Sequence, residues 1–147
     1  MENRMKKSDW TVAGLLVEAT AIVAALVYLG LQVYYGILYG VAAFTLIMNI
    51  LTFLLVYVGM TALLCFPEKV NRLSSEICQG KIRQDTIWMV RLIKLIFVLS
   101  LLFTSICDVM GLHIEAAYSL IVAILILAVA IFYEARIIRA IKDKNQK

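Results

Sequence analysis

An acidic side chain lies inside the first long apolar segment of this 147-residue chain. The segment TVAGLLVEATAIVAALVYLG covers residues 11–30 and contains Glu18. A carboxyl group is costly inside a membrane, and where one occurs it commonly binds a cation, relays a proton or joins helices. Glu18 is therefore the first residue in this sequence to which chemistry can be assigned.

Polar side chains also recur at helical spacing in two later apolar segments. In the first of them, Thr45, Asn49 and Thr52 follow one another at i, i+4 and i+7, so one helix face presents a hydroxyl, an amide and a hydroxyl. We expect such faces to turn inward, because a polar group that faces lipid without a partner is strongly unfavourable. The predicted intramembrane polar cluster therefore comprises Glu18, Thr45, Asn49, Thr52, Ser100, Thr104 and Asp108.

A direct contact between Glu18 and Asn49 is predicted from the turn between their helices. The hexapeptide LQVYYG, residues 31–36, combines glycine with tyrosines that favour a membrane interface, so we expect the turn there. Counting outward from this turn places Glu18 and Asn49 at the same depth in two antiparallel helices. Desolvation favours the neutral form of an acid, and no Lys or Arg is expected at this depth. A protonated Glu18 that donates to Asn49 would clamp the helices; alternatively, Glu18 exchanges a proton or binds a cation.

The composition assigns the chain to the integral membrane proteins. With 63% hydrophobic residues and a mean hydropathy of +0.93, it has too little polar surface to cover a soluble globule. The run between Glu18 and Glu68 contains no charged residue and is long enough to cross a membrane twice. The predicted fold is all-α, an antiparallel up-down four-helix bundle in a single domain over residues 1–147, with helices at about 11–31, 37–66, 86–110 and 114–140.

The basic residues indicate how the bundle is oriented. All fourteen Lys and Arg residues precede the first helix, lie between residues 69 and 94, or follow residue 135. Four crossings put these groups on one side of the membrane, and the positive-inside rule assigns that side to the cytoplasm. We therefore expect both termini in the cytoplasm and the chain in the inner, or cell, membrane. The net charge of +4 is read as a signal of topology and not as a nucleic-acid surface.

Residues 68–85 form the predicted cytoplasmic loop. The spacing of Val70, Leu73 and Ile77 predicts a short amphipathic helix on the headgroups, which ends at Gly80. Long basic side chains that begin the third membrane helix are expected to extend their charges back to the headgroups. The predicted cytoplasmic basic face therefore consists of Lys69, Arg72, Lys81, Arg83, Arg91 and Lys94.

The sequence contains no metal-binding motif, nucleotide-binding loop or nucleophile with a paired base, so we predict no enzyme, no cofactor and no metal site. A regulatory or accessory subunit that binds a partner is the first functional prediction. The alternative is a small proton- or cation-coupled transporter or channel that uses Glu18 within an oligomer. The expected partners are the lipid bilayer, a membrane or regulatory protein and further copies of the chain; direct binding of nucleic acid is not expected.

A resemblance to a known family is carried by LSSEICQGKIRQDTIWMVRLIKLIFVLSLL, residues 73–102. There a charged loop passes through Gly80 into a third helix that is first basic, with Arg91 and Lys94, and then mainly aliphatic. This stretch resembles the corresponding region of small bacterial four-helix membrane proteins grouped as domain of unknown function 2975. The resemblance implies a bacterial inner-membrane protein without assigned catalysis, often found beside a small DNA-binding regulator. It implies no particular functional residues.

Overall fold

Four long helices make up most of the computed structural model, which describes residues 11–115 and 117–145. Each is long and apolar enough to cross a membrane, and no strand occurs within these ranges. The predicted all-α fold with four helices long and apolar enough to cross a membrane is thereby confirmed. The helices are α1 (Val12–Tyr39), α2 (Ala43–Cys65), α3 (Gly80–Val109) and α4 (Ala117–Asn145), and a short 3-10 helix covers Pro67–Lys69.

The first helix continues through the segment in which the sequence predicted a turn. It begins at a capped end, where Thr11 Oγ1 accepts a hydrogen bond from Gly14 N at 3.1 Å. It ends only at Gly40, whose φ of 61° lies in the left-handed region that closes many helices. The predicted turn at residues 31–36 is therefore wrong. Gly36 does not end this helix, because a segment in an apolar environment satisfies its backbone best by remaining helical.

The segment between α2 and α3 also differs from the prediction. Residues 70–79 form turns and not an amphipathic helix, and Gly80 begins α3 instead of ending a surface helix. Several residues in the first turns of α3 are buried, including Arg83 and Asp85. Their charges are compensated by neighbouring elements, because Glu68 lies 4.0 Å from Arg83 and Arg136 lies 3.0 Å from Asp85. Local compensation explains why a charged segment joins the bundle here.

The third helix is the element on which the others pack. Both α1 and α4 make their most extensive contacts with α3, whereas α2 makes smaller contacts with α1 and α3. The main core cluster contains Tyr28, Phe53 and Val98, packed with two alanines of α1 that allow the helices to approach closely. A second cluster joins Leu64 of α2 to the early part of α3. These contacts fix the position of α1 and α2 around α3, where the candidate site lies.

Candidate functional site

Glu18 lies between two buried cations of α3. Lys94 Nζ donates a hydrogen bond to Glu18 Oε2, and Arg91 Nε lies 3.4 Å from Glu18 Oε1. Arg91 is only 1% exposed and Lys94 is fully buried. We call these three residues the ion-pair triad. Glu18 therefore contacts two cations of α3, and the predicted hydrogen bond from Glu18 to Asn49 is wrong.

Helix geometry brings the triad together. Arg91 and Lys94 are three positions apart on α3 and so share one face of that helix. Gly14 stands one helical turn before Glu18 on α1 and leaves room for the guanidinium group of Arg91. A Cβ atom at Gly14 would lie 2.9 Å from Arg91 Cζ and would overlap Arg91 Nη1. A side chain at Gly14 would therefore force the guanidinium group of Arg91 to shift from this position.

The second helix completes the surroundings of the triad. Lys94 Nζ lies 3.5 Å from Thr61 Oγ1 and 5.2 Å from the centre of the Tyr57 ring. The Trp88 ring lies 5.9 Å from Arg91 Cζ. Aromatic faces attract cations, most strongly where water is excluded. The two buried cations are thus stabilised by a carboxylate of α1, a hydroxyl and a ring of α2, and a ring of their own helix.

A cleft of about 260 Å³ opens beside Glu18, between α1 and α2. Its walls are mainly apolar, and Glu18 and Thr61 supply its polar atoms. The side chain of Glu18 is 16% exposed, so this carboxylate is the member of the triad that borders the cleft. The remaining lining residues are Leu15, Ala19, Ile22, Leu64 and Cys65.

Asn49 does not meet Glu18 in this structure. Because α1 ends at Tyr39, the turn lies at residues 40–42, and counting outward from it places Glu18 level with Thr61 and Leu64. The polar face of α2 is instead exposed along its length, at Thr45, Asn49 and Thr52. The predicted Glu18–Asn49 contact is wrong because the turn between α1 and α2 lies at residues 40–42 and not at residues 31–36.

The polar residues of α3 bond mainly within their own helix. Ser100 Oγ donates to Phe97 O at 2.8 Å, and Thr104 Oγ1 donates to Ser100 O at 2.9 Å. Tyr118 of α4 also donates to Ser100 O, at 3.2 Å, while Asp108 is exposed near the end of α3. These residues therefore do not form one cluster with Glu18, contrary to the prediction.

A polar contact that the sequence did not predict joins α1 and α3 further along. Gln32 Nε2 donates to Ser105 Oγ at 2.8 Å. Gln32 follows Glu18 by two intervals of seven residues, and Ser105 follows Arg91 by the same two intervals. A seven-residue period keeps side chains on one seam between two helices. The equal spacing of Glu18 to Gln32 and of Arg91 to Ser105 is a sequence signal for this contact. The contact is missed from the sequence because a turn is predicted at residues 31–36.

The predicted basic face divides into two groups. Lys69, Arg72 and Lys81 are exposed, whereas Arg83, Arg91 and Lys94 are buried. The prediction that Arg91 and Lys94 extend to the headgroups is wrong, because a carboxylate on a neighbouring helix compensates their charges inside the bundle.

The part of the chain that the structure describes contains no group of three or more His, Cys, Asp or Glu side chains placed to hold a metal ion. The chain matches no protein-family model, no curated protein and no solved structure. The resemblance of residues 73–102 to the four-helix family therefore stays a prediction.

Proposed function

We propose that the chain is an accessory or regulatory membrane subunit that binds another transmembrane helix through α2. The observation that carries this proposal is a seam on α2 in which three polar side chains and a glycine are exposed. Its members recur at alternating intervals of four and three residues, and we call them the α2 seam: Thr45, Asn49, Thr52, Val56 and Gly59.

The α2 seam has the properties of a helix-docking surface in a membrane. Asn49 is exposed in the middle of an apolar span, where an amide gains about 0.6–2 kcal/mol from a hydrogen bond to another helix. The intervals of four and three residues match the contact seam of two helices that cross at a small angle. At Gly59 a Cβ atom would meet nothing within 4 Å, so a second backbone can approach closely there.

The weak attachment of α2 to its own bundle supports the same role. α1 and α4 are each packed extensively on α3, whereas α2 contacts α1 and α3 much less. Few residues in the apolar span of α2 are buried within the chain, which leaves a large face for a partner; the span of α4 is buried to the same small extent. This role requires no catalytic step.

The interior of the bundle gives less support to transport by a single chain. Tyr28 and Phe53 have ring centres 4.5 Å apart, and Phe53 and Phe97 have ring centres 6.4 Å apart. This aromatic cluster lies between the ion-pair triad and the Gln32–Ser105 contact, so the polar groups of the interior are separated by packed rings. Proton- or cation-coupled transport that uses Glu18 within an oligomer remains the alternative function.

We also propose an up-down bundle with both termini in the cytoplasm of a cell or inner membrane. The order of contacts between α2 and α3 supports opposite directions for these two helices. Phe53 packs against Phe97. Thr61, which comes later in α2, contacts Lys94, which comes earlier in α3. The positive-inside rule supports the orientation, because the basic residues then share one side.

Photo-crosslinking in native membranes tests the docking role. A photoreactive residue replaces Thr52 in the α2 seam or, as the control, Ile124 on the exposed part of α4. We expect a discrete adduct with one partner protein or with a second copy from position 52 but not from position 124. The substitution Asn49→Leu should remove that adduct, whereas Thr20→Val, at an exposed polar position of α1, should not.

Lipid adducts alone at position 52, or a protein adduct unchanged by Asn49→Leu, would contradict the docking role. The transport alternative has its own measurement. If Glu18→Gln abolished a proton or cation flux into proteoliposomes without loss of the folded protein, transport would replace the accessory role.

A further inference from the structure

A cationic groove lies where the start of α3 meets the end of α4. It has a volume of about 490 Å³, and its floor includes Ile82 and Ala140. Four basic side chains line it together with one acid, Asp143. The basic residues are Lys81, Arg136, Arg139 and Lys144, so the groove presents an excess of positive charge.

The groove continues into a second depression that contains aromatic side chains. This depression, of about 660 Å³, shares Lys81 and Arg136 with the cationic groove and is also lined by Trp88 and Tyr133. Trp88 follows Lys81 on α3, and Tyr133 precedes Arg136 on α4, so both rings lie on the side of the apolar spans. Tryptophan and tyrosine favour the level where headgroups meet hydrocarbon. The combined surface therefore changes from aromatic to cationic along the two helices.

Two of the four cations are held in place by contacts of their own. Arg136 lies 3.0 Å from Asp85 Oδ1 and sits over the Tyr133 ring at 5.7 Å. Lys144 Nζ donates to Glu76 O at 2.8 Å. Lys81 and Arg139 are both exposed at the groove, so they are the side chains best placed to meet a ligand.

We propose that this groove binds the phosphate group of an anionic phospholipid. Lys81 and Arg139 would contact the phosphate and Arg136 would lie behind them, while Trp88 and Tyr133 would contact the glycerol region and the first part of an acyl chain. Basic pockets between membrane helices are suited to anionic headgroups. The aromatic end of the surface favours a phosphate that is attached to a lipid over a soluble phosphate. This site does not depend on the α2 seam.

Quenching of Trp88 fluorescence tests the site. The chain contains two tryptophans, so Trp10→Phe leaves Trp88 as the reporter in the full-length protein. The protein is reconstituted with phosphatidylglycerol or phosphatidylcholine that carries bromine on its acyl chains, and the ratio of the two binding constants is measured. We expect a preference for phosphatidylglycerol. Each basic residue near the headgroups contributes about five-fold to binding of an anionic lipid.

The double variant Lys81→Gln/Arg139→Gln should therefore lose roughly 10- to 30-fold of this preference. The control variant Lys69→Gln/Arg72→Gln removes the same charge from exposed positions outside the groove and should keep the preference. Equal quenching by the two lipids, or equal losses in the two double variants, would overturn the proposal. Inorganic phosphate at millimolar concentration and constant ionic strength should not compete; if it abolished the preference, the groove would be assigned to a soluble phosphate instead.

Discussion

At the scale of residues, one carboxylate compensates two cations that are almost completely removed from solvent. An ion pair of this kind adds little net stability compared with apolar residues of the same shape, because each charge has lost its water. Removing one member has a much larger effect, since it leaves the others buried without compensation. The triad therefore determines which helices can pack together more than it determines how stable the bundle is.

Glu18→Gln should lower the free energy of unfolding by about 3–5 kcal/mol, the usual effect of leaving a buried charge without its partner. The midpoint of thermal unfolding in detergent, followed by size-exclusion chromatography, provides the measurement. Glu115→Gln removes the same charge from an exposed turn and is the control. The double variant Glu18→Gln/Lys94→Gln should be more stable than Glu18→Gln alone. Equal midpoints for Glu18→Gln and Glu115→Gln would show that the triad has no structural role.

Gly14→Ala should destabilise the protein by about 1–3 kcal/mol, the usual range for an added methyl group in a packed site. The new Cβ would occupy the space of the Arg91 guanidinium group and displace it from Glu18. Gly30→Ala is the matched control within α1, because a Cβ there meets nothing within 4 Å. The same unfolding midpoints are compared, and equal effects of the two substitutions would contradict the predicted overlap.

The sequence identified Glu18 as the central residue of the site but not its partners. The sequence predicts that Arg91 and Lys94 contact the lipid headgroups, because long basic side chains at the start of an apolar span usually extend toward the membrane surface. Only the depth of Glu18 relative to α3 reveals the pairing, and that depth depends on where α1 ends. The role of Gly14 could not be predicted from the sequence, because a small residue is needed at that position only when Arg91 lies opposite it.

At the scale of elements, the apolar runs determine the number of helices, while their ends depend on tertiary contacts. The long apolar stretches of the sequence predict four spans, and the structure contains four helices long and apolar enough to cross a membrane. Residues 31–36 look like a turn from their glycine and tyrosines, yet Gly36 contacts Leu46 of α2 and the helix continues to Tyr39. α3 starts early because Glu68 and Arg136, which are distant in sequence, compensate its charges.

The continuity of α1 leads to a prediction about crosslinking. In a background without the native cysteines, Gln32→Cys and Ser105→Cys should be joined by a short bifunctional thiol reagent, because the native side chains of these two positions are within hydrogen-bonding distance, at 2.8 Å. Val33→Cys with Ser105→Cys is the control, since Val33 is exposed on another face of α1. Non-reducing electrophoresis after cleavage between α1 and α3 shows the link. Preferential crosslinking of the control pair would indicate that residues 31–36 are not helical.

At the scale of the whole molecule, the distribution of charge predicts how the bundle is inserted. In a background without native cysteines, single cysteines replacing Ala42 or His113 should react with a membrane-impermeant reagent in intact cells. Cysteines replacing Glu76 or Lys142 should react only after the membrane is opened. All four positions are exposed in the structure, so differences in labelling report the side of the membrane. Labelling of position 76 in intact cells would contradict the cytoplasmic termini.

The pairing of Glu18 with α3 also affects the order in which the bundle can form during biosynthesis. Lys94 follows Glu18 by 76 residues, and a ribosome needs about 4–15 s to add them at about 5–20 residues per second. Until Arg91 is translated, shortly before Lys94, the nascent α1 contains an acid for which neither cation is present. Until α3 is made, the carboxyl group of α1 lacks its native partners, so the rate of translation limits how early the folded bundle can form in the cell.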